Sequence, residues 1–435
     1  MTADSQDAPG LALLVRRPGQ QPACWHAGLA NVEHQVRIGA DTAFNTGSVA
    51  KQITAHLVLL AARDSLIHLH QPAADLLPKL RVTDVTVADL ITHTSGVRDA
   101  ESLLSLAGLR DLDHYTAADL RTLAYRQHER AVPKGQFLYS NTNYLLLAEL
   151  LEVVHRTDLP DLARRRIFDP LGMQATHFQA DTRQVIRGAA AAYRPARDGW
   201  RHTQPPVALP GPGALFTTTG DLDLWLGHLH QLWQYDDNPL PRGDLLGYKT
   251  ADRQPYLYGP GLYADPRPGH TSVFHYGHEH GFSAATHLTR GGLRIVCLAN
   301  STGIAADHAL AAVLRALDED HDRDDLEGVM SLAARRAQRS DLPVADGCAA
   351  DGGAQRELGR FTCDEVPGVL RLTSTGDAFH LWRRGTPDRL APVGPGMWAG
   401  NGYSLTLPGG TDDIKGFTLD LDRAPRLIYK RLPAS

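Results

Sequence analysis

The periodicity of the apolar residues changes several times along the chain, and these changes limit the folds it can adopt. Strand-type runs occupy residues 11–16 and 23–38, helical spacing dominates over 48–233, and strand-type runs return over 256–299. A last helical pattern covers 305–318. Strands at both ends with helices between them predict an α+β fold, in which the N-terminal strands complete one antiparallel sheet and the last helix covers it.

The predicted helices share helical spacing of apolar residues, and most are bounded by Gly, Pro, Asp or Asn. They are expected over residues 48–63, 86–93, 117–127, 142–156, 158–167, 220–233 and 305–318. A Gly291-Gly292 pair separates two alternating runs near the end of the strand-rich region. This pair predicts a hairpin.

The tail has a different pattern from the region before it. Residues 321–355 are rich in Asp, Arg, Ala, Gly and Ser, and are predicted to be a linker with some helix over 326–337. They divide the chain into a domain over 1–320 and a small all-β barrel over 356–435, where short runs alternate with turn residues. The predicted barrel core is Phe361, Leu370, Leu372, Phe379, Leu381, Tyr403, Leu405, Phe417, Leu419 and Ile428.

Composition narrows the class of protein and its partners. The 435 residues are 43% hydrophobic and 21% charged, with a formal charge of −5, which leaves no basic field for nucleic acid. No apolar stretch reaches the roughly 20 residues that cross a bilayer, and residues 1–9 lack the apolar core of a signal peptide. Four cysteines without a C-x-x-C pair argue against a disulfide frame or a structural zinc. We therefore expect a cytoplasmic protein with no membrane partner, and the sequence leaves a homo-oligomer open.

The stretch Ser48-Val49-Ala50-Lys51 places a hydroxyl and an amine three residues apart where an apolar helix is predicted to begin. Because residues i and i+3 share a helix face, Lys51 is expected beside the Ser48 oxygen. Burial among apolar neighbours is expected to lower the pKa of Lys51, so that its amine could take the serine proton. The pattern also arises by chance, and a surface Ser and Lys in this arrangement are usually inert.

Two further clusters carry suitable chemistry. Tyr139-Ser140-Asn141 presents a phenol and a carboxamide at a helix start, where Tyr139 could pass a proton to a leaving group and Asn141 could bind a substrate carbonyl or position Lys51. The alternative is a half-buried turn tyrosine and a helix cap.

The second cluster is a strand end that carries His275 and Gly277. Gly277 would let a substrate lie close to the strand, the backbone N–H of His278 could join that of Ser48 in an oxyanion hole, and His275 is expected to line the cleft beside Lys51 and Tyr139. A metal site is the alternative, with ligands His275, His278, Glu279 and His280. Strand alternation disfavours it, because neighbouring side chains point to opposite faces.

Together the three motifs resemble the penicillin-recognising serine hydrolases, which include class C β-lactamases, DD-carboxypeptidases, family VIII-type esterases and D-aminopeptidases. The motifs are Ser48-x-x-Lys51, Tyr139-x-Asn141 and His275-x-Gly277, with similar landmarks at residues 90–96, 167–173 and 213–218. The resemblance covers roughly residues 10–318. The tail resembles the lipocalin-like barrel attached to several members.

The resemblance implies a β-lactamase/transpeptidase-like fold, an antiparallel sheet flanked by helices plus an all-α lobe. It also implies two-step acyl transfer without a metal or organic cofactor. Lys51 and Tyr139 would deprotonate the nucleophile Ser48, and the N–H groups of Ser48 and His278 would hold the oxyanion. The implied substrate-binding residues are Asn141, His275, Tyr276 and Gly277.

The chain departs from the β-lactamases at one motif. His275 stands where they have lysine, which removes a cation that would hold a substrate carboxylate and favours a neutral or small ester or amide over a β-lactam. Tyr276, bulkier than threonine, is expected to narrow the acyl side of the cleft. The Lys249-Thr250 pair is interpreted as unrelated to this motif, since alanine follows it.

Three functions therefore stay open. The motifs favour a hydrolase of peptide amides or esters, including substrates with D-residues, of D-aminopeptidase, DD-peptidase or esterase type. A penicillin-binding-type thioesterase, peptide cyclase or acyltransferase of natural-product biosynthesis, acting on a carrier-bound thioester, shares the same motifs. A non-catalytic binding protein on this fold is the third. The barrel could be a packing module or a cap over the cleft of its own or a neighbouring chain.

Overall fold

A computed structural model describes residues 7–108, 115–234, 247–248, 256–265, 272–319, 325–338, 356–376, 378–408 and 414–433. Its contacts define two compact units. Unit 1 is Met1–Gln71, Val87–Thr92 and Tyr144–Val344, and unit 2 is Pro72–Thr86, His93–Asn143 and Ala345–Ser435. The Lys249-Thr250 pair and most of the predicted linker lie outside the described residues.

The helices follow the predicted pattern closely. In chain order they are α1 (Lys51–Arg63), α2 (Val87–Ile91), α3 (Ala100–Leu106), α4 (Ala117–Arg126), α5 (Asn141–His155), α6 (Leu159–Ala163), α7 (Asp169–Leu171), α8 (Thr219–Trp233), α9 (Ala306–Glu319) and α10 (Leu326–Arg336). There are 3₁₀ turns at Gly47–Ala50 and Ala73–Asp75, and a π-helical segment at Arg164–Phe168. The sequence did not predict α3, because 7 residues are too few to show a helical period. No helix in the described ranges is long and apolar enough to cross a bilayer.

Unit 1 is built on an eight-stranded antiparallel sheet in the order β10-β11-β12-β13-β14-β15-β1-β2. Its strands are β1 (Leu11–Arg16), β2 (Ala23–Ala27), β10 (Gly247–Tyr248), β11 (Leu257–Gly259), β12 (Leu262–Ala264), β13 (Ser272–Glu279), β14 (Phe282–Thr289) and β15 (Arg294–Ala299). The N-terminal strands lie next to β15, as predicted, and the Gly291-Gly292 hairpin joins β14 to β15. Small sheets and ribbons of unit 1 comprise β3 (Leu29–Asn31), β4 (Val36–Arg37), β5 (Phe44–Asn45), β6 (His177–Phe178), β7 (Ala192–Ala196), β8 (Gly199–Thr203) and β9 (Leu215–Thr217).

Helices cover both faces of the large sheet. α9 and α10 pack on one face, where Leu13, Cys297 and Val313 belong to a fully buried apolar cluster. α1 and α8 lie on the other face, where Trp225 donates to Gln52 and Gln52 donates to Thr286 at 2.9 and 2.8 Å. Burial of apolar surface on both faces holds the helices to the sheet.

The tail of unit 2 is a closed eight-stranded barrel, which confirms the predicted all-β module. Its strands are β16 (Arg356–Thr362), β17 (Leu370–Thr375), β18 (Ala378–Arg383), β19 (Thr386–Gly394), β20 (Met397–Ala399), β21 (Ser404–Thr406), β22 (Gly416–Leu421) and β23 (Ala424–Arg431). Most predicted core positions are buried, and Phe379 is half-buried. Ile428 was predicted wrongly: it is 58% exposed, and its neighbours Leu427 and Tyr429 point inward. Three consecutive apolar residues fit either strand alternation, so the pattern alone did not fix the face.

Candidate active site

Ser48 lies in the 3₁₀ turn Gly47–Ala50, which leads directly into α1. Lys51 is three residues further on, and its Nζ donates to Ser48 Oγ at 2.9 Å and to the carbonyl oxygen of Pro212 at 2.8 Å. The Lys51 side chain has no exposed surface, and its Nζ is 5.5 Å from the centre of the Tyr144 ring. The structure thus joins a buried amine to a serine hydroxyl by one hydrogen bond.

The segment 211–215, which carries Pro212, is held in place by hydrogen bonds from residues on either side of Ser48 and Lys51. Thr54 Oγ1 donates to Gly211 O at 2.9 Å, and the Thr46 N–H donates to Leu215 O at 2.9 Å. The Pro212 carbonyl lies between these two anchors, so its position relative to Lys51 is set by backbone rather than by a mobile side chain.

Two glycines allow β13 to pass directly against the Ser48 turn. A Cβ on Gly47, whose φ is +49°, would lie 2.6 Å from His278 O and 2.9 Å from His278 N. A Cβ on Gly277 would lie 3.0 Å from Ser48 N and still closer to Thr46 O. Only glycine permits this approach. The backbones that carry the two predicted oxyanion donors, Ser48 and His278, are therefore in contact.

His275, which was expected to line the cleft, lies two residues before Gly277 on β13 and is buried. Its ring is 1% exposed, and its Nε2 is 3.1 Å from the Tyr258 hydroxyl. Burial, aided by the positive charge of Lys51, lowers the pKa of His275 to about 3. The imidazole is therefore neutral near pH 7 and supplies no cation for a substrate carboxylate.

Tyr276 lies on the other face of β13, so the prediction that it narrows the acyl side of the cleft is corrected. It is paired with Ala285, which in turn is paired with Cys297, and it packs against the apolar cluster under α9 and α10. Strand alternation separates it from His275 and Gly277. The same alternation divides the four proposed metal ligands, and the described residues contain no group of three His, Cys, Asp or Glu side chains that could hold a metal ion.

Tyr139 belongs to unit 2, where its ring contacts that of His93, with ring centres 4.3 Å apart and planes tilted by 35°. His93 is fully buried and has φ +58°, a conformation that is uncommon for residues other than glycine. Its Nδ1 is 3.3 Å from the Ser140 N–H and 2.9 Å from Asn143 Nδ2. His93 therefore fixes both the ring and the backbone of the Tyr139 segment.

Asn141 is the first residue of α5, and its backbone and its side chain each donate a hydrogen bond to a carboxylate. Its Nδ2 donates to Glu101 Oε2 at 2.6 Å, and its backbone N–H donates to Asp99 Oδ2 at 2.7 Å. The other oxygen of Asp99 accepts the Ser102 N–H and caps α3. One buried aspartate thus fixes the starts of two helices.

The barrel reaches the same lobe of unit 2 through the turn between β22 and β23. The Asp99 N–H donates to Arg423 O at 3.0 Å, and the Arg423 guanidinium lies 4.9 Å from the centre of the Tyr139 ring. Arg98 is buried and donates to both oxygens of Glu365 at 2.9 and 3.1 Å. The barrel turn therefore takes part in the surroundings of Tyr139.

The beta-lactamase family profile matches residues 2–319. The chain belongs to the beta-lactamase family. Two similar curated proteins are D-aminopeptidases: that of Cereibacter sphaeroides is 25% identical over 93% of this chain and 73% of its own length. That of Gluconobacter oxydans is 26% identical over 70% of this chain and 59% of its own length, so the match spans less than two thirds of the latter.

Solved structures have a similar fold. The octameric penicillin-binding protein homologue of Pyrococcus abyssi, 20% identical, has a TM-score of 0.63 over 98% of this chain and 96% of its own. A D-stereospecific amidohydrolase of Streptomyces is 25% identical, with a TM-score of 0.55 over 68% of this chain and 91% of its own. The predicted resemblance and α+β fold are confirmed. This beta-lactamase family member is a serine hydrolase that acts on amides or esters.

Several residues around the predicted motifs were missed by sequence reasoning. His93 lies in a landmark of the beta-lactamase family, but only its positive φ and its ring contact with Tyr139 reveal its role. Asp99 and Glu101 precede or begin the helix that was not predicted. Arg423 belongs to none of the sequence motifs, and only its contact with the Tyr139 ring connects it to the site.

Proposed function

We propose that this protein hydrolyses amides of amino acids or short peptides whose acyl residue has the D configuration, through an acyl-enzyme on Ser48. The observation that carries the proposal is the 2.9 Å hydrogen bond between the buried Lys51 amine and Ser48 Oγ. The D configuration is supported by similarity to D-aminopeptidases, one of which aligns with 93% of this chain.

The proposed reaction requires Lys51 to lose its own proton first; its amine then accepts the Ser48 proton while Oγ attacks the substrate carbonyl. The N–H groups of Ser48 and His278 hold the oxyanion that forms. Tyr139 then donates a proton to the leaving nitrogen as the C–N bond breaks. Water then attacks the resulting ester on Ser48 and gives one proton to the Tyr139 phenolate, and the acid leaves as the Lys51 ammonium returns its proton to Ser48 Oγ.

The surroundings of Ser48 support an amide or ester in preference to a β-lactam. His275 is neutral near pH 7 because burial lowers its pKa to about 3. His275 therefore does not supply the cation that lysine provides at this position in the β-lactamases. A substrate carboxylate beside His275 would have no charged partner there.

The proposal is tested by intact-mass analysis after exposure to a fluorophosphonate, and by turnover of matched D- and L-amino-acid p-nitroanilides. We expect one adduct on the wild type and none on Ser48→Ala, whose turnover of the D-substrates falls at least about 1,000-fold. Ser331→Ala, on α10, is the matched control.

Three other results would change the conclusion. A wild type that is neither labelled nor active contradicts the acyl-enzyme. A preference for L-substrates contradicts the proposed configuration. Cyclic or aminolysed products from a thioester would instead support the acyltransferase alternative.

A further inference from the structure

The β22–β23 turn of the barrel is fastened to the lobe of unit 2 that carries Tyr139. Arg98 donates to Pro425 O at 2.9 Å as well as to Glu365, and Arg426 donates to Ala131 O at 2.8 Å. The Asp99 N–H holds the carbonyl of Arg423. These bonds fix the backbone on both sides of the Arg423 side chain.

The arginines between the barrel and the Tyr139 lobe differ in whether their N–H groups donate hydrogen bonds to the protein. Arg98, Arg426 and Arg383 all donate to protein oxygens, and Arg383 also pairs with Asp388. Arg423 lies over the Tyr139 ring and is exposed. In the part of the chain that the structure describes, its guanidinium donates no hydrogen bond. Its N–H groups are therefore available to an added acceptor beside Tyr139.

Three carboxylates near Arg423 attract it without accepting hydrogen bonds from it. The adjacent Asp422 interacts electrostatically with the guanidinium, and so do Asp99 and Glu101. Their oxygens accept hydrogen bonds from α3 and α5 instead: Asp99 from Ser102 and Asn141, and Glu101 from the Asn141 amide. The arginine is thus attracted to this place while it keeps its capacity to bind another anion.

We propose that Arg423 binds the carboxylate of the leaving group, so that the enzyme prefers peptides whose leaving part is an amino acid with a free carboxylate. The inference rests on the proposed function, in which Tyr139 protonates the leaving nitrogen. In an α-amino acid, the carboxylate is one carbon away from that nitrogen. A guanidinium matches a carboxylate with two parallel hydrogen bonds, and neutral His275 cannot replace it.

The test compares kcat/KM for D-alanyl-glycine and D-alanyl-glycinamide, which differ only in the carboxylate. We expect Arg423→Gln to lower kcat/KM for D-alanyl-glycine about 10- to 100-fold, chiefly through KM, and to change that for the amide less than about twofold. Arg423→Lys should retain part of the preference. The control is Arg371→Gln, because Arg371 also lies over a ring, that of Trp382, at 4.3 Å. An equal fall for both substrates, or no fall, overturns the inference.

A binding measurement separates this inference from the proposed reaction. In the Ser48→Ala protein, calorimetric titration should show tighter binding of D-alanyl-glycine than of its amide, and adding Arg423→Gln should abolish the difference. If no variant turns over either peptide but this preference is found, the proposed function fails and the carboxylate site stands. Equal affinities, or a preference that survives Arg423→Gln, reject the site.

Discussion

The Ser48 group (Ser48, Lys51 and Pro212) and the Tyr139 group (Tyr139, His93 and Arg423) are assembled in different ways. Ser48 in the 3₁₀ turn and Lys51 at the start of α1 are three residues apart, and one hydrogen bond joins them. Tyr139 is held by a ring from the segment before α3 and by a guanidinium from the end of the barrel. The first group therefore depends mainly on local helix geometry, whereas the second depends on contacts between segments far apart in the chain.

This difference has an energetic consequence. A pair at i and i+3 forms whenever its helix forms, so its cost in chain entropy is small. The Tyr139 group is complete only when the β22–β23 turn of the barrel is docked on the α3 lobe, because Arg423 comes from that turn. Damage to the barrel should therefore impair the Tyr139 group before it impairs Ser48.

The largest effect is expected from Lys51→Met, which removes the amine but keeps an unbranched side chain. Without a base, the Ser48 hydroxyl keeps its proton, so we expect kcat and fluorophosphonate labelling to fall about 1,000- to 10,000-fold. Stopped assays measure kcat, and intact-mass analysis measures the labelling. Lys79→Met, at an exposed lysine, is the control. Labelling at the wild-type rate would show that the Ser48 group does not need its local partner.

Arg98→Met tests the attachment of the barrel. It leaves the buried Glu365 carboxylate without its partner, so we expect the free energy of unfolding to fall by about 3 to 5 kcal/mol in urea denaturation. The double variant Arg98→Met/Glu365→Leu should recover much of this loss, because it buries no lone charge. Fluorophosphonate labelling of folded Arg98→Met should persist. A loss below about 1 kcal/mol would mean that this ion pair does not fasten the turn.

Tyr139→Phe tests the role of the Tyr139 group separately from that of the Ser48 group, because the two substrates compared differ in whether their leaving group needs a proton. An amide leaving group needs a proton, so we expect kcat for an amide to fall about 100-fold. A p-nitrophenyl ester has a leaving group that departs without one, and its kcat should fall less than about 10-fold. Tyr403→Phe, in the barrel, is the control. Equal losses on both substrates would contradict a proton donor.

The smallest effect concerns the acid stability of the Ser48 side. The pKa of His275 is about 3 in the folded protein and about 6.5 when exposed. Between pH 3 and pH 6.5 the unfolded chain therefore binds a proton at His275, whereas the folded protein does not. The free energy of unfolding should therefore fall as pH drops below 6.5. His275→Gln should remove about 2 kcal/mol of the loss between pH 7.5 and 5, measured by urea titration at both pH values. An unchanged pH dependence relative to the control His68→Gln would show that His275 is protonated without cost.

Periodicity predicted the long elements because each repeats its pattern over several turns or residue pairs. The helices α1, α5 and α8, the Gly291-Gly292 hairpin and the barrel all agree with it. It failed where the pattern was short or ambiguous, as at α3 and at Ile428. For Tyr276, strand alternation already implied a face opposite to His275, and the structure shows which face carries the apolar cluster.

The sequence by itself determined the Ser48-Lys51 pair and the order of strands and helices, because these follow from spacing along the chain, and the resemblance of its motifs indicated the family. Only the tertiary structure decided that His275 is a buried neutral ring, that His93 supports Tyr139, and that Arg423 of the barrel lies on that tyrosine. Burial and ring contacts depend on which distant segments pack together. The spacing of residues along the chain does not predict these contacts, because they are fixed by the packing of the whole folded chain.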